Sequence, residues 1–120
     1  MFKSLSQLLL AGIFMKGGFD AFWEPGGRVD KVAGAGLPNP ETAVELNGAT
    51  MMVGGAMLAL NVAPKLAAVA LIGSLIPTTL VGHAFWKVEE KAARNAQMIQ
   101  FLKNMGLIGG LLLLLRQKED

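Results

Sequence analysis

The chain has 120 residues, the length of one domain, and 52% of them are hydrophobic against 17% charged, with a mean hydropathy of +0.46. That composition excludes disorder and lies above the soluble globular range. Cysteine is absent and histidine occurs once, which excludes disulfide frameworks, thiolate metal sites, iron-sulfur clusters, thiol catalysis and a bis-histidine haem site, so no metal is predicted. Eleven basic residues against nine acidic give a net charge of +2, and the basic residues are scattered between apolar runs, so the pI of about 9.2 is no argument for nucleic acid.

Four apolar segments follow in chain order, over residues 5–23, 40–60, 64–86 and 95–115, and together they predict a single all-α domain over 1–120: an integral membrane four-helix bundle running up-down-up-down. A hydrocarbon core of roughly 30 Å takes about 20 helical residues, and a helix satisfies its own backbone there. The first segment carries Lys16 and Asp20 and stops at Trp23, before Glu24, Pro25, Gly26 and Gly27. Those two charges and the lack of a small-x-small cleavage site favour a retained helix over a signal peptide. The glycine-rich stretch 24–39 reads as an ordered surface lid.

Asn39 and Pro40 place a cap residue and a first-turn proline at the start of the second segment. Nineteen uncharged residues separate Glu45 from Lys65, and twenty-one separate Lys65 from Lys87, so these two segments are the strongest spans. Pro64 opens the third segment, Pro77 kinks it, and Ser74, Thr78 and Thr79 absorb the freed backbone groups. Trp23 and Trp86 fall on one membrane face, as an aromatic belt requires. The stretch 87–97 begins the fourth helix at the interface, and Arg116 and Lys118 anchor its end at headgroups. Lys3, Lys65, Arg116 and Lys118, close beside the spans, put both termini in the cytoplasm of a plasma-membrane protein.

Lys16, Asp20, Glu45, His83 and Lys103 are the ionisable residues inside these spans, and the up-down order puts all five in the half near the first and third loops. From the rise of a helix, Lys16 lies about 10 Å below that face, Glu45 about 8 Å from Pro40 and His83 about 5 Å from Trp86. Each shares a helical stripe with small or polar residues: Gly12, Lys16 and Asp20; Glu45, Gly48, Met52 and Gly55; Thr79 and His83; Lys103, Gly106 and Gly110. Two readings remain open. In one, Lys16 pairs with Asp20 and Lys103 with Glu45 in a structural network. In the other, His83 and Glu45 bind or protonate a polar headgroup such as a quinone carbonyl, with apolar walls for its tail. Seven methionines read as packing residues, and no nucleophile-base set for hydrolysis is visible.

Three stretches resemble the DoxX family of small bacterial membrane proteins. The first runs from Leu9 through Ile13, Phe14 and Lys16 to Gly18, and the second takes Gly36-Leu37-Pro38, Glu45, Gly48, Gly54 and Gly55. The third has His83-Ala84-Phe85, then Phe101-Leu102-Lys103-Asn104 and the pair Gly109-Gly110. The resemblance implies a four-helix membrane fold and a link to thiosulfate:quinone oxidoreductase subunits or oxidative-stress complexes. It adds Asn104 to Glu45, His83 and Lys103 as site positions, whereas Lys16 and Asp20 rest on spacing. With no cofactor motif of its own, the chain is expected to act as an accessory subunit docked through its glycine faces onto other membrane subunits. The alternative is a quinone-binding oxidoreductase subunit.

Overall fold

The computed structural model describes residues 2–24 and 26–117; Pro25 of the expected helix stop and Lys118 of the expected anchor lie outside them, as does the side chain of Lys3. The described residues are helical with no strand. In chain order they form α1 (Phe2–Trp23), α2 (Gly27–Gly34), α3 (Pro40–Ala59), α4 (Pro64–Gly82), a short 3-10 turn (Phe85–Lys87) and α5 (Lys91–Arg116).

Local chemistry accounts for most of the boundaries. Pro40 and Pro64 each occupy a first helical position, where a missing N–H costs nothing. Asn39 is the N-cap of α3 as expected, but it takes a left-handed backbone (φ 48°) and its side chain makes no capping bond. Glu90 supplies the true side-chain cap, accepting from the N–H groups of Ala92 (3.1 Å) and Ala93 (2.8 Å) to start α5. Within the stretch 24–39, expected as an ordered surface lid, Gly27–Gly34 form the amphipathic helix α2, which has no buried residue and packs on α3 and α4.

Two segments are apolar and long enough to cross a bilayer by length and composition: Pro64–Lys87, which is α4 with the 3-10 turn, and Lys91–Arg116, which is α5. This reorders the sequence reading, which ranked the second segment above the fourth. The uncharged run after Glu45 passes through the turn that follows Ala59, so the helical part of α3 includes the polar residues Glu41, Glu45 and Asn47. Helix α5, by contrast, starts at Lys91, within the stretch expected to begin it at the interface, and reaches 26 residues.

Neighbouring helices run antiparallel, as their contacts record. Gly18 of α1 meets Gly48 of α3 at one end, and Ala11 and Met15 meet Gly55 further along. A Cβ on Gly18 would stand 2.6 Å from the Gly48 carbonyl oxygen, and one on Gly48 would stand 2.8 Å from that of Gly18, so these backbones touch because neither residue has a side chain. Helix α3 meets α4 through Gly54 and Leu71, and α4 meets α5 through Thr79 and Asn104. Ala11, Phe14, Leu58, Leu71, Leu75, Leu111 and Leu114 form the core. At its far end Gln7 donates to the Leu58 carbonyl (2.9 Å) and to Asn61 Oδ1 (3.0 Å), closing the α3–α4 turn.

Polarity is distributed inside out. Gln7, Ser74, Thr79 and Asn104 are buried, while Leu9 and Leu60 are more than 70% exposed, and Leu66, Leu113 and Ile99 face outward beside them. Water would penalise such an exterior, whereas hydrocarbon solvates it and drives hydrogen-bonding groups inward.

Candidate functional site

Beyond the core, the helices surround a cavity of about 610 Å³. Phe14 and Leu75, which belong to the core, form its floor, and Ile13, Met51 and Leu107 continue the apolar wall. Polar side chains come from every helix: Lys16 and Asp20 from α1, Arg28 and Lys31 from α2, Asn47 from α3, Thr78 from α4, and Lys103 and Asn104 from α5, with His83 at the end of α4.

Five of the six site residues read from the sequence therefore share one cavity. Lys16 Nζ bonds both oxygens of Asp20 at 2.8 Å, the i,i+4 pair that the spacing predicts and the one ion pair among the described residues. His83 Nδ1 lies 2.7 Å from Gln97 Oε1, which holds the imidazole across the turn between α4 and α5. Asn104 is buried and donates to Thr79 Oγ1 (3.0 Å). Lys103 Nζ bonds Gln100 Oε1 on its own helix (2.6 Å), not Glu45 across the bundle.

Glu45 is the residue the structure keeps apart. It is exposed on α3 and does not line the cavity, because Val44, Asn47 and Gly48 face inward at that level and the α1 backbone at Gly18, Ala21 and Phe22 fills the space beside Gly48. The stripe through Gly48 and Gly55 is buried as read, but its first member lies beyond the seam.

Three groups escaped the sequence reading. Asn47 accepts from Ser74 Oγ (2.6 Å) and donates to Thr78 Oγ1 (2.8 Å), while Thr78 donates back to the Ser74 carbonyl (2.8 Å). The hydroxyls expected to repair the backbone at Pro77 thus tie α4 to α3 through Asn47, and Thr79 ties it to α5. Arg28 and Lys31 belong to the stretch 24–39 and are not among the site residues that the sequence suggests. Three residues apart on an amphipathic segment, they fall on one face of α2, and that periodicity was their signal. An aromatic cluster roofs the α4–α5 turn, with Phe85 5.3 Å from both Trp86 and Phe101 between ring centroids.

An all-helical chain with an apolar exterior, buried hydrogen-bonding side chains and a cavity that gathers its charged side chains over apolar walls is an integral membrane protein. Its sequence matches the DoxX family over residues 4–84, more than half of the chain, and the protein belongs to that family. The match takes in the first two stretches and His83-Ala84, and it stops before the Phe101–Gly110 stretch of α5. No curated protein and no solved structure matches the chain.

Proposed function

We propose that the protein is a multi-pass plasma-membrane protein, one domain in which α1, α3, α4 and α5 each cross the bilayer with both termini in the cytoplasm, and that its cavity binds the polar head of a membrane-dissolved amphiphile. One observation carries the reading: a single chamber combines an apolar floor with polar side chains contributed by all five helices. His83, Lys103 and Asn104 offer donors beside apolar walls, an arrangement that fits a quinone head as it fits other polar heads. Lys16 and Asp20 serve this site as a neutral pair at its rim.

The test is to purify the chain in native nanodiscs and identify retained quinones and lipids by mass spectrometry, then repeat with His83→Phe. A stoichiometric amphiphile that is lost with His83→Phe while assembly persists supports the binding site. An empty protein, or a variant that only melts earlier, sinks it.

A second reading, an accessory subunit of a larger respiratory or redox membrane complex, draws on the outward glycines. Gly12, Gly73 and Gly106 have open space where a side chain would stand, which leaves room for the close approach of a partner helix. Stoichiometric co-purifying subunits in the same experiment support that role.

A further inference from the structure

The reading of the cavity as a headgroup site leaves the charge of the head open. Resting on that reading, we propose that the head is anionic, a phosphate ester carried on an acyl-chain amphiphile, and that Arg28 and Lys31 of α2 and Lys103 of α5 contact it.

Charge balance within the cavity leads to this. Four cations, Lys16, Arg28, Lys31 and Lys103, line it with one carboxylate, Asp20. Both oxygens of that carboxylate bond Lys16, so it is already engaged. The other three cations bond neutral acceptors: Arg28 Nη1 reaches the Glu24 carbonyl at 3.4 Å, Lys31 Nζ the Gly82 carbonyl at 3.0 Å, and Lys103 Nζ the Gln100 amide oxygen at 2.6 Å. None of these supplies a compensating charge. All of these cations are exposed at the cavity mouth, where an anionic head entering from the membrane interface would meet three positive groups with no carboxylate of their own.

The donors also suit an oxyanion. Arg28 presents a planar fork with most of its five N–H groups unused, the geometry that grips two phosphate oxygens at once. Lys31 comes from the same face of α2, and its bond to Gly82 fixes it at the C-terminal end of α4, at the rim. A quinone ring is neutral; it would use one or two of these donors and leave the charges uncompensated. Ile13, Phe14, Leu75 and Leu107 then provide apolar wall for the first methylenes of a chain below the head.

The experiment uses the full chain in phosphatidylcholine nanodiscs, titrated separately with short-chain phosphatidic acid, a short-chain ubiquinone and inorganic phosphate, with bound species counted by native mass spectrometry. The proposal predicts one saturable phosphatidic acid per chain, weakened about tenfold or more by Arg28→Gln or Lys31→Gln and retained by Lys31→Arg. Helicity and elution position confirm that each variant is folded. Phosphatidic acid that enriches without saturating, or that binds the two glutamine variants unchanged, overturns the proposal. Inorganic phosphate competing on equal terms overturns the amphiphile and keeps only the oxyanion. Ubiquinone binding without phosphatidic acid overturns the anionic head and leaves the cavity reading standing, whereas binding of neither removes both.

Discussion

The two ends of the molecule are built on opposite rules. At the end that holds Gln7 and the α3–α4 turn, Leu58, Leu71 and Leu111 are fully buried, and a Cβ on Gly55 of α3 would stand 3.3 Å from the Ala11 carbonyl oxygen of α1. At the other end α1 still touches α3 through Gly18 and Gly48, but a cavity opens beside that seam, edged by Arg28, Lys31 and Lys103, whose partners are neutral. Inside a bilayer the hydrophobic effect does not drive helices together, so the first end is held by van der Waals contact and a few hydrogen bonds. The second end keeps the Gly18–Gly48 seam and the Asn47 bonds to α4 but leaves a cavity beside them. Its charged residues come from α1, α2 and α5, and α2 has no buried side chain, which makes this end the less stable and the more available to a ligand.

Substitutions sharpen the contrast, beginning with the largest effect. Gly18→Val puts a branched side chain where a Cβ alone would meet the Gly48 oxygen at 2.6 Å and the Met52 nitrogen at 2.8 Å. Backbone cannot move aside as a flexible side chain can, and a loss of about 3 kcal/mol is expected, read as a large fall in melting temperature in detergent. Leu111→Ala should cost about 2 kcal/mol by opening a void in the core, with ligand retention unchanged. Gln7→Leu removes the two bonds that tie α1 to Leu58 and Asn61, and about 1 kcal/mol should be lost in the same assay. Last comes Glu45→Gln, on an exposed face away from the cavity, where both melting temperature and ligand retention should stay within about 0.5 kcal/mol of the parent. A loss of ligand with Glu45→Gln would mean that the cavity extends further than its present walls.

The same contrast explains what could be read in the sequence. Helix ends set by Trp23, Pro40 and Pro64 are local features, and the structure places them where residue chemistry does. Lys16 and Asp20 pair because four residues along a helix bring them together whatever surrounds them. The polar cluster was legible because charges are costly in apolar segments, so their mere presence marked the level of the cavity. Glu45 was misplaced because its stripe says which residues lie above one another, but not where on that stripe the contact with α1 ends. Arg28 and Lys31 were missed for a different reason. A span-centred reading assigns loop charges to water, and only the fold of α2 over α3 and α4 brings them to the rim. Asn47 was uncharged and so raised no alarm, although it joins α3 to two hydroxyls of α4.

The central claim is that the cavity holds one kind of amphiphile while the outer surface meets bulk lipid. The direct test incorporates a diazirine amino acid in living cells, in one strain at Met51, which lines the cavity, and in another at Leu113, which is 63% exposed on α5. After illumination, the adducts at the two positions are compared by mass spectrometry. The account predicts a single dominant amphiphile on the Met51 probe and the ordinary lipid mixture on the Leu113 probe. The same lipid mixture at both positions would contradict it.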